Sequence, residues 1–89
     1  MRVNDSFILR TIADENLLIP TGTAALEVQG LISLSESGAL LYQKLLSGST
    51  AAELAALLTA EYDIDLETAQ RDTADFLDQM RELGVLAEE

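Results

Sequence analysis

The spacing of apolar and polar positions changes once along the chain, near residue 35. Before it the period is that of strands. Phe7 to Ile12 alternates around Arg10 and Thr11, and Leu17 to Pro20 is a second short apolar run, so each predicts a strand. Asp14, Glu15 and Asn16 between them predict a three-residue hairpin loop, with Asn16 in the left-handed conformation on which such loops end. Pro20 has no N–H for a ladder and ends the second strand. Thr21 to Gln29 then reads as a connection, and Gly30 introduces a third strand, Leu31 to Leu34.

After residue 35 the period becomes helical. Ser35 is placed to cap a helix from Glu36 to Leu46 with Leu40, Leu41, Leu45 and Leu46 inward and Gly48 just past its end. Thr50 to Glu53 reads T-A-A-E, a capping box in which the Thr hydroxyl and the Glu carboxylate each accept from a free backbone N–H. The helix it opens runs to about Tyr62, with Ala51, Leu54, Ala55, Leu58 and Tyr62 on one face. Asp65 caps a third helix extending to Leu83, before Gly84, with Ala69, Thr73, Phe76, Leu77, Met80 and Leu83 as its apolar arc. Val85 and Leu86 form a short extended tail packed on the core. The predicted fold is α+β, a three-stranded antiparallel sheet followed by three helices, winged-helix-like in its parts.

Composition bears on chemistry more than on fold. The 89 residues are 48% hydrophobic but only 4% aromatic, which gives one domain, residues 1–89, with a Leu, Ile, Val and Ala interior. Neither His nor Cys is present. The commonest general base, the commonest metal ligand and the most reactive nucleophile are therefore missing, and no catalytic residue, metal or cofactor is expected. Lys44, the sole lysine, reads as a solvated helix residue. Without cysteine, and with an N-terminus, MRVNDSF, that lacks the apolar centre of a secretion signal, the expected location is cytoplasmic. No apolar run reaches the length of a membrane span.

The formal charge of −11 is unevenly placed. Residues 1 to 46 carry five acids and three bases, whereas residues 47 to 89 carry eleven acids and two bases. A polyanion is held by Lys and Arg that displace its counterions, so nucleic acid and anionic membrane are both disfavoured as partners.

The run L-I-S-L-S-E-S-G-A-L-L-Y-Q-K-L-L (residues 31 to 46), then G-S-T-A-A-E-L, then E-Y-D-I-D-L-E-T-A-Q-R-D, together with L-G-V-L at residues 83 to 86, resembles the PqqD family, the RiPP recognition elements. Such a resemblance implies a non-catalytic adaptor. It would hold the leader of a ribosomally made precursor peptide and present the core to a modifying enzyme such as a radical maturase, a leader peptidase or a cyclase. It also implies that the leader lies antiparallel on the third strand, which here is Leu31, Ile32, Ser33 and Leu34, in a groove walled by the third helix. The wall candidates are Thr73, Phe76, Leu77 and Met80.

The physics of an edge strand agrees. Unpaired N–H and C=O groups on such an edge accept an added strand, whose alternate side chains enter flanking pockets. Each proposed wall residue also has a plain reading as core, Leu77 above all. The lesser alternative is an edge covered by the Val85–Leu86 tail, or by a second copy in a homodimer. Asp63, Asp65 and Glu67 alternate as in a calcium loop but lack its glycine and distant Glu, so helix capping explains them better. Asp72, Asp75, Asp78 and Glu82 make an acidic stripe on the third helix, either a solvated face or a means of steering a Lys- or Arg-bearing leader. Two other classes share some features. A winged-helix DNA-binding regulator would need a positive third helix, but residues 66 to 83 carry five acids and two bases. An acyl-carrier-like module would need a serine after an Asp at a helix start, whereas Ser35 follows Leu34 and Ser37 follows Glu36.

Overall fold

The computed structural model describes residues 2–4, 6–22 and 31–87. The elements run β1 (Arg2–Val3), β2 (Phe7–Ile12), β3 (Glu15–Pro20), β4 (Ile32–Leu34), α1 (Glu36–Leu46), α2 (Ala51–Glu61), α3 (Leu66–Glu82) and β5 (Leu86–Ala87). The main sheet is antiparallel in the order β2-β3-β4 and is followed by the three helices, as the change of period predicts. Most of the expected connection before β4 lies outside the described residues.

The hairpin turn differs from the sequence expectation. Ile12 pairs with Glu15, which leaves only Ala13 and Asp14 in the turn, at φ 51° and 67°. Two successive left-handed residues give the hairpin a twist that matches its strands. Asn16 is therefore not a loop residue. It pairs with Thr11, whose hydroxyl donates to Asn16 Oδ1 at 3.0 Å. This register puts Leu18 opposite both Leu9 and Ile32 and buries it completely. A slip of one residue would turn Leu18 outward, so burial selects the shorter turn. Phe7, Leu18, Ile32 and Leu34 face the helices, while Ile8, Ile12 and Leu31 remain exposed.

Each helix starts where a side chain satisfies its free N–H groups. The Gly38 N–H donates to Ser35 Oγ at 3.1 Å and opens α1. Leu41 and Leu45 point inward as expected, joined by Gly38, Ala39 and Tyr42. Leu40 is only half-buried, lying about 140° round the helix from Leu45, and Leu46 in the final turn is 55% exposed. The capping box of α2 is complete, with the Glu53 N–H donating to Thr50 Oγ1 at 3.2 Å and the Thr50 N–H donating to Glu53 Oε1 at 2.9 Å. Leu54, Ala55 and Leu58 are its buried face, whereas Ala51 is exposed and Tyr62 half-buried. The Thr68 N–H donates to Asp65 Oδ1 at 3.2 Å and opens α3.

The end of α3 directs the last part of the chain. Gly84 takes φ 78°, the Val85 N–H donates to the Met80 carbonyl at 2.9 Å, and the Gly84 N–H donates to that of Arg81 at 3.1 Å. This is the paired-bond Schellman termination, which a left-handed glycine permits. Val85 and Leu86 are thereby turned into the core. The tail is extended, as expected, but its partner is β1: Val3 pairs with Leu86, and the Asn4 N–H donates to the Val85 carbonyl at 2.7 Å. The tail is not on β4.

Two predictions follow from the turn and the cap. Left-handed alanine is disfavoured by about 1 kcal/mol relative to a residue that tolerates the region, so Ala13→Asn is expected to raise the urea midpoint without changing its slope. An unchanged or lower midpoint would contradict this turn. Hydrogen bonds from the Thr50 backbone and then its side chain, with the Lys44 charge adding to them, hold the Glu53 carboxyl below its ordinary value of 4.5. A lowered folded-state pKa adds stability that is present above the unfolded value and is lost as pH falls through the folded one. Urea midpoints measured from neutral to acid pH should therefore fall less steeply below pH 4.5 in Glu53→Gln than in the parent chain.

Candidate functional site

In the main sheet β3 is central, and β2 and β4 are the edges. On its second side β4 has no strand neighbour among the described residues, so its outward-directed N–H and C=O groups are available to an added strand. Alternation along this short element sends Ile32 and Leu34 into the core, while Ser33 and the preceding Leu31, 56% exposed, face outward.

A groove of about 580 Å³ opens beside this edge. Ser33 and Leu34 of β4 border it, continuing through the capping residue Ser35 into Glu36, Ser37 and Gly38 of α1. Leu41 and Leu58, with Tyr62 and Ile64 after α2, add apolar lining. The far wall is α3, through Asp72, Asp75, Phe76 and Gln79, which recur at the three- and four-residue spacing of one helix face. The groove thus combines apolar side chains with hydroxyls and with carboxylates contributed from two helices.

On the near side, local packing joins the end of β4 to the start of α1. Gly38 lies between the Ser35 cap and the groove, and a Cβ there would meet Ser35 Oγ at 3.2 Å and Leu34 Cβ at 3.7 Å. A larger residue at this position would press on both the cap and the strand end. At the mouth, partial burial and then the nearby charges of Glu36 and Glu61 push the Tyr62 phenol above its usual range.

The sequence-selected residues separate into three groups. Ser33, Leu34 and Phe76 border the groove, and Leu31 and Ile32 belong to the same edge segment, Leu31 exposed and Ile32 buried. Thr73 and Leu77 border a different depression, lined also by Ala51, Ala52, Gln70, Ala74, Asp78 and Arg81. Met80 is fully buried. An apolar arc read from periodicity cannot distinguish these positions, because one helix face packs on several neighbours at once. Glu36, Tyr62, Ile64 and Gln79 were not singled out by the sequence as groove residues. They come together only through folding, although the acidic stripe did flag Asp72 and Asp75.

Chemically, this arrangement offers strand pairing, apolar contact and negative charge. Among the described residues no group of three or more acidic side chains is placed to hold a metal, and no helix is long and apolar enough to cross a membrane.

The geometry defines a small α+β protein with an open strand edge along a groove, the groove walled by its long helix. This chain belongs to the PqqD family: the family model described as coenzyme PQQ synthesis protein D matches residues 18–86. The resemblance drawn from the residues is therefore borne out. Among solved structures the chain is similar to TbiB1 in complex with the TbiA(beta) leader peptide, with 26% identity, TM-score 0.81, and 100% of this chain and 98% of that one covered. Its fold is also shared by lasso peptide synthetase B1 complexed with the leader peptide, with 24% identity, TM-score 0.80, and coverage of 98% and 96%. No curated protein matches the chain.

The buried Thr73 hydroxyl, which has no hydrogen-bond partner, supplies a check on the α3 assignment. Removing an unsatisfied buried hydroxyl while keeping side-chain shape relieves about 1 kcal/mol of desolvation cost. Thr73→Val is expected to equal or exceed the parent in urea stability, and a large loss would mean that the hydroxyl is paired.

Proposed function

We propose that this chain is a leader-binding adaptor. It holds the leader of a ribosomally synthesised precursor peptide as an added strand beside Ile32–Leu34 and presents the core peptide to a separate modifying enzyme. The observation that carries this reading is the free edge of β4 beside a partly apolar groove walled by α3. The similar TbiB1 structure contains a leader peptide, which supports the same use of the fold here. Backbone pairing supplies sequence-tolerant affinity, and side chains entering the groove supply selection.

In this reading residues 1–89 act as one binding domain, and the enzyme served is a radical maturase, a leader peptidase or a cyclase. The chain itself contributes positioning rather than bond chemistry. Its lack of His and Cys supports that division of labour. Ser33, Leu34 and Phe76 are the primary contacts of the proposed site, with Leu31 and Ile32 completing the strand. Thr73, Leu77 and Met80 support α3 from behind. A DNA-binding role is disfavoured by the acidic groove-facing side of α3, which would repel phosphate.

The test is titration of the isotopically labelled protein with the synthetic leader of a small precursor encoded beside its gene. Amides of Ile32–Leu34 and of the groove face of α3 are expected to shift, with micromolar or tighter affinity. Ser33→Pro removes a backbone donor and bends the edge. It should weaken leader binding at least about tenfold, a loss of ~1.4 kcal/mol, while the helical circular dichroism is retained. Unchanged affinity in that variant would rule out strand addition at this edge.

A further inference from the structure

Charge on the groove is one-sided. Asp72 and Asp75 project from α3, and Glu36 comes from the first turn of α1 across the opening, so carboxylates stand on two different elements. Among the described residues no Lys or Arg lines this groove. Lys44 is at the far end of α1, and Arg81 pairs with Asp78 at 3.2 Å and borders the other depression. The acidic stripe of α3 is therefore split by the fold. Asp78 is turned away and paired with a base, whereas Asp72 and Asp75 are turned toward the binding edge.

A second feature gives this charge a ligand. Ser33 and Leu34, the end of the strand with the open edge, border the same groove. A peptide strand paired there would share this groove with the α1 and α3 carboxylates. Its own backbone is neutral, so charge complementarity to them has to come from a cationic side chain, rather than from the neutral donors that could also hydrogen-bond them.

We infer that the ligand of this groove is a leader segment bearing a Lys or Arg side chain, seated between Glu36 and the Asp72–Asp75 pair while the backbone pairs with β4. This inference rests on the leader-binding reading and specifies the chemistry of the leader. An anionic segment would be rejected at this point even if its backbone could pair, because like charges in a partly enclosed groove repel.

The experiment uses two synthetic peptides: the leader encoded beside the gene, and the same sequence with every Lys and Arg replaced by Gln. Both are titrated into the full chain at low salt, following the Ile32–Leu34 amides. The charged leader is expected to bind about tenfold more tightly, with the advantage shrinking as salt rises. The double variant Asp72→Asn/Asp75→Asn should remove most of that advantage. Asp78→Asn, which alters charge one turn further along α3 beside the other depression, should leave most of it intact and so separate contact in the groove from net-charge attraction. Equal binding of the two peptides, with β4 amides shifting in both, overturns the charge inference and leaves the leader reading standing. A leader with no Lys or Arg overturns it as well. If neither peptide moves the β4 amides, the leader reading itself fails and this inference falls with it.

Discussion

Everything in this structure depends on Leu18 being fully buried at the middle of the central strand. Its position fixes the register of both neighbours: Leu9 stands opposite on β2 and Ile32 on β4. Once Leu18 faces the helices, the period-two alternation of strands sends Ile32 and Leu34 inward and Ser33 outward. Leu18 also shares one apolar cluster with Leu54, Met80 and Val85, so sheet and helices are parts of the same core. A three-strand sheet ordered this way has one satisfied strand and two edges.

The edges are treated differently by the rest of the fold. The short tail after α3 is the natural candidate to cover one of them, but the glycine turn at Gly84 directs it to the N-terminal strand instead. Burial of Val85 and Leu86 secures that path. As a result β4 ends beside a groove rather than beneath another strand. The wall opposite is α3, a helix of about 25 Å whose two sides border separate depressions. A single helix can thus support the core, face the open edge and present acid on the groove side without compromise among these roles.

Membership of the PqqD family and the likeness to leader-bound structures fit this layout. What is shared with them is the arrangement of backbone, and strand addition depends on register more than on particular side chains. In this chain the groove also carries acid. Its carboxylates stand on elements that other sequences could build with different charges.

Much of the architecture was legible in the sequence because its causes are local. The change from strand to helical period, the caps at Ser35, Thr50 and Asp65, and the glycine stop at Gly84 each act within a few residues, and all appear where the spacing places them. The edge segment around Ser33 was legible too, through strand patterning and the family resemblance. The hairpin turn was misplaced by sequence reasoning because Ala13 is a poor left-handed residue, tolerated here only to keep Leu18 inward. The pairing of β1 with β5 joins opposite ends of the chain and leaves no local mark. Tertiary structure alone sorted the apolar arc of α3, sending Phe76 to the groove, Thr73 and Leu77 to the other depression and Met80 to the core. It alone set Glu36 across from Asp72 and Asp75, because periodicity reports which residues share a helix face but not what that face will meet.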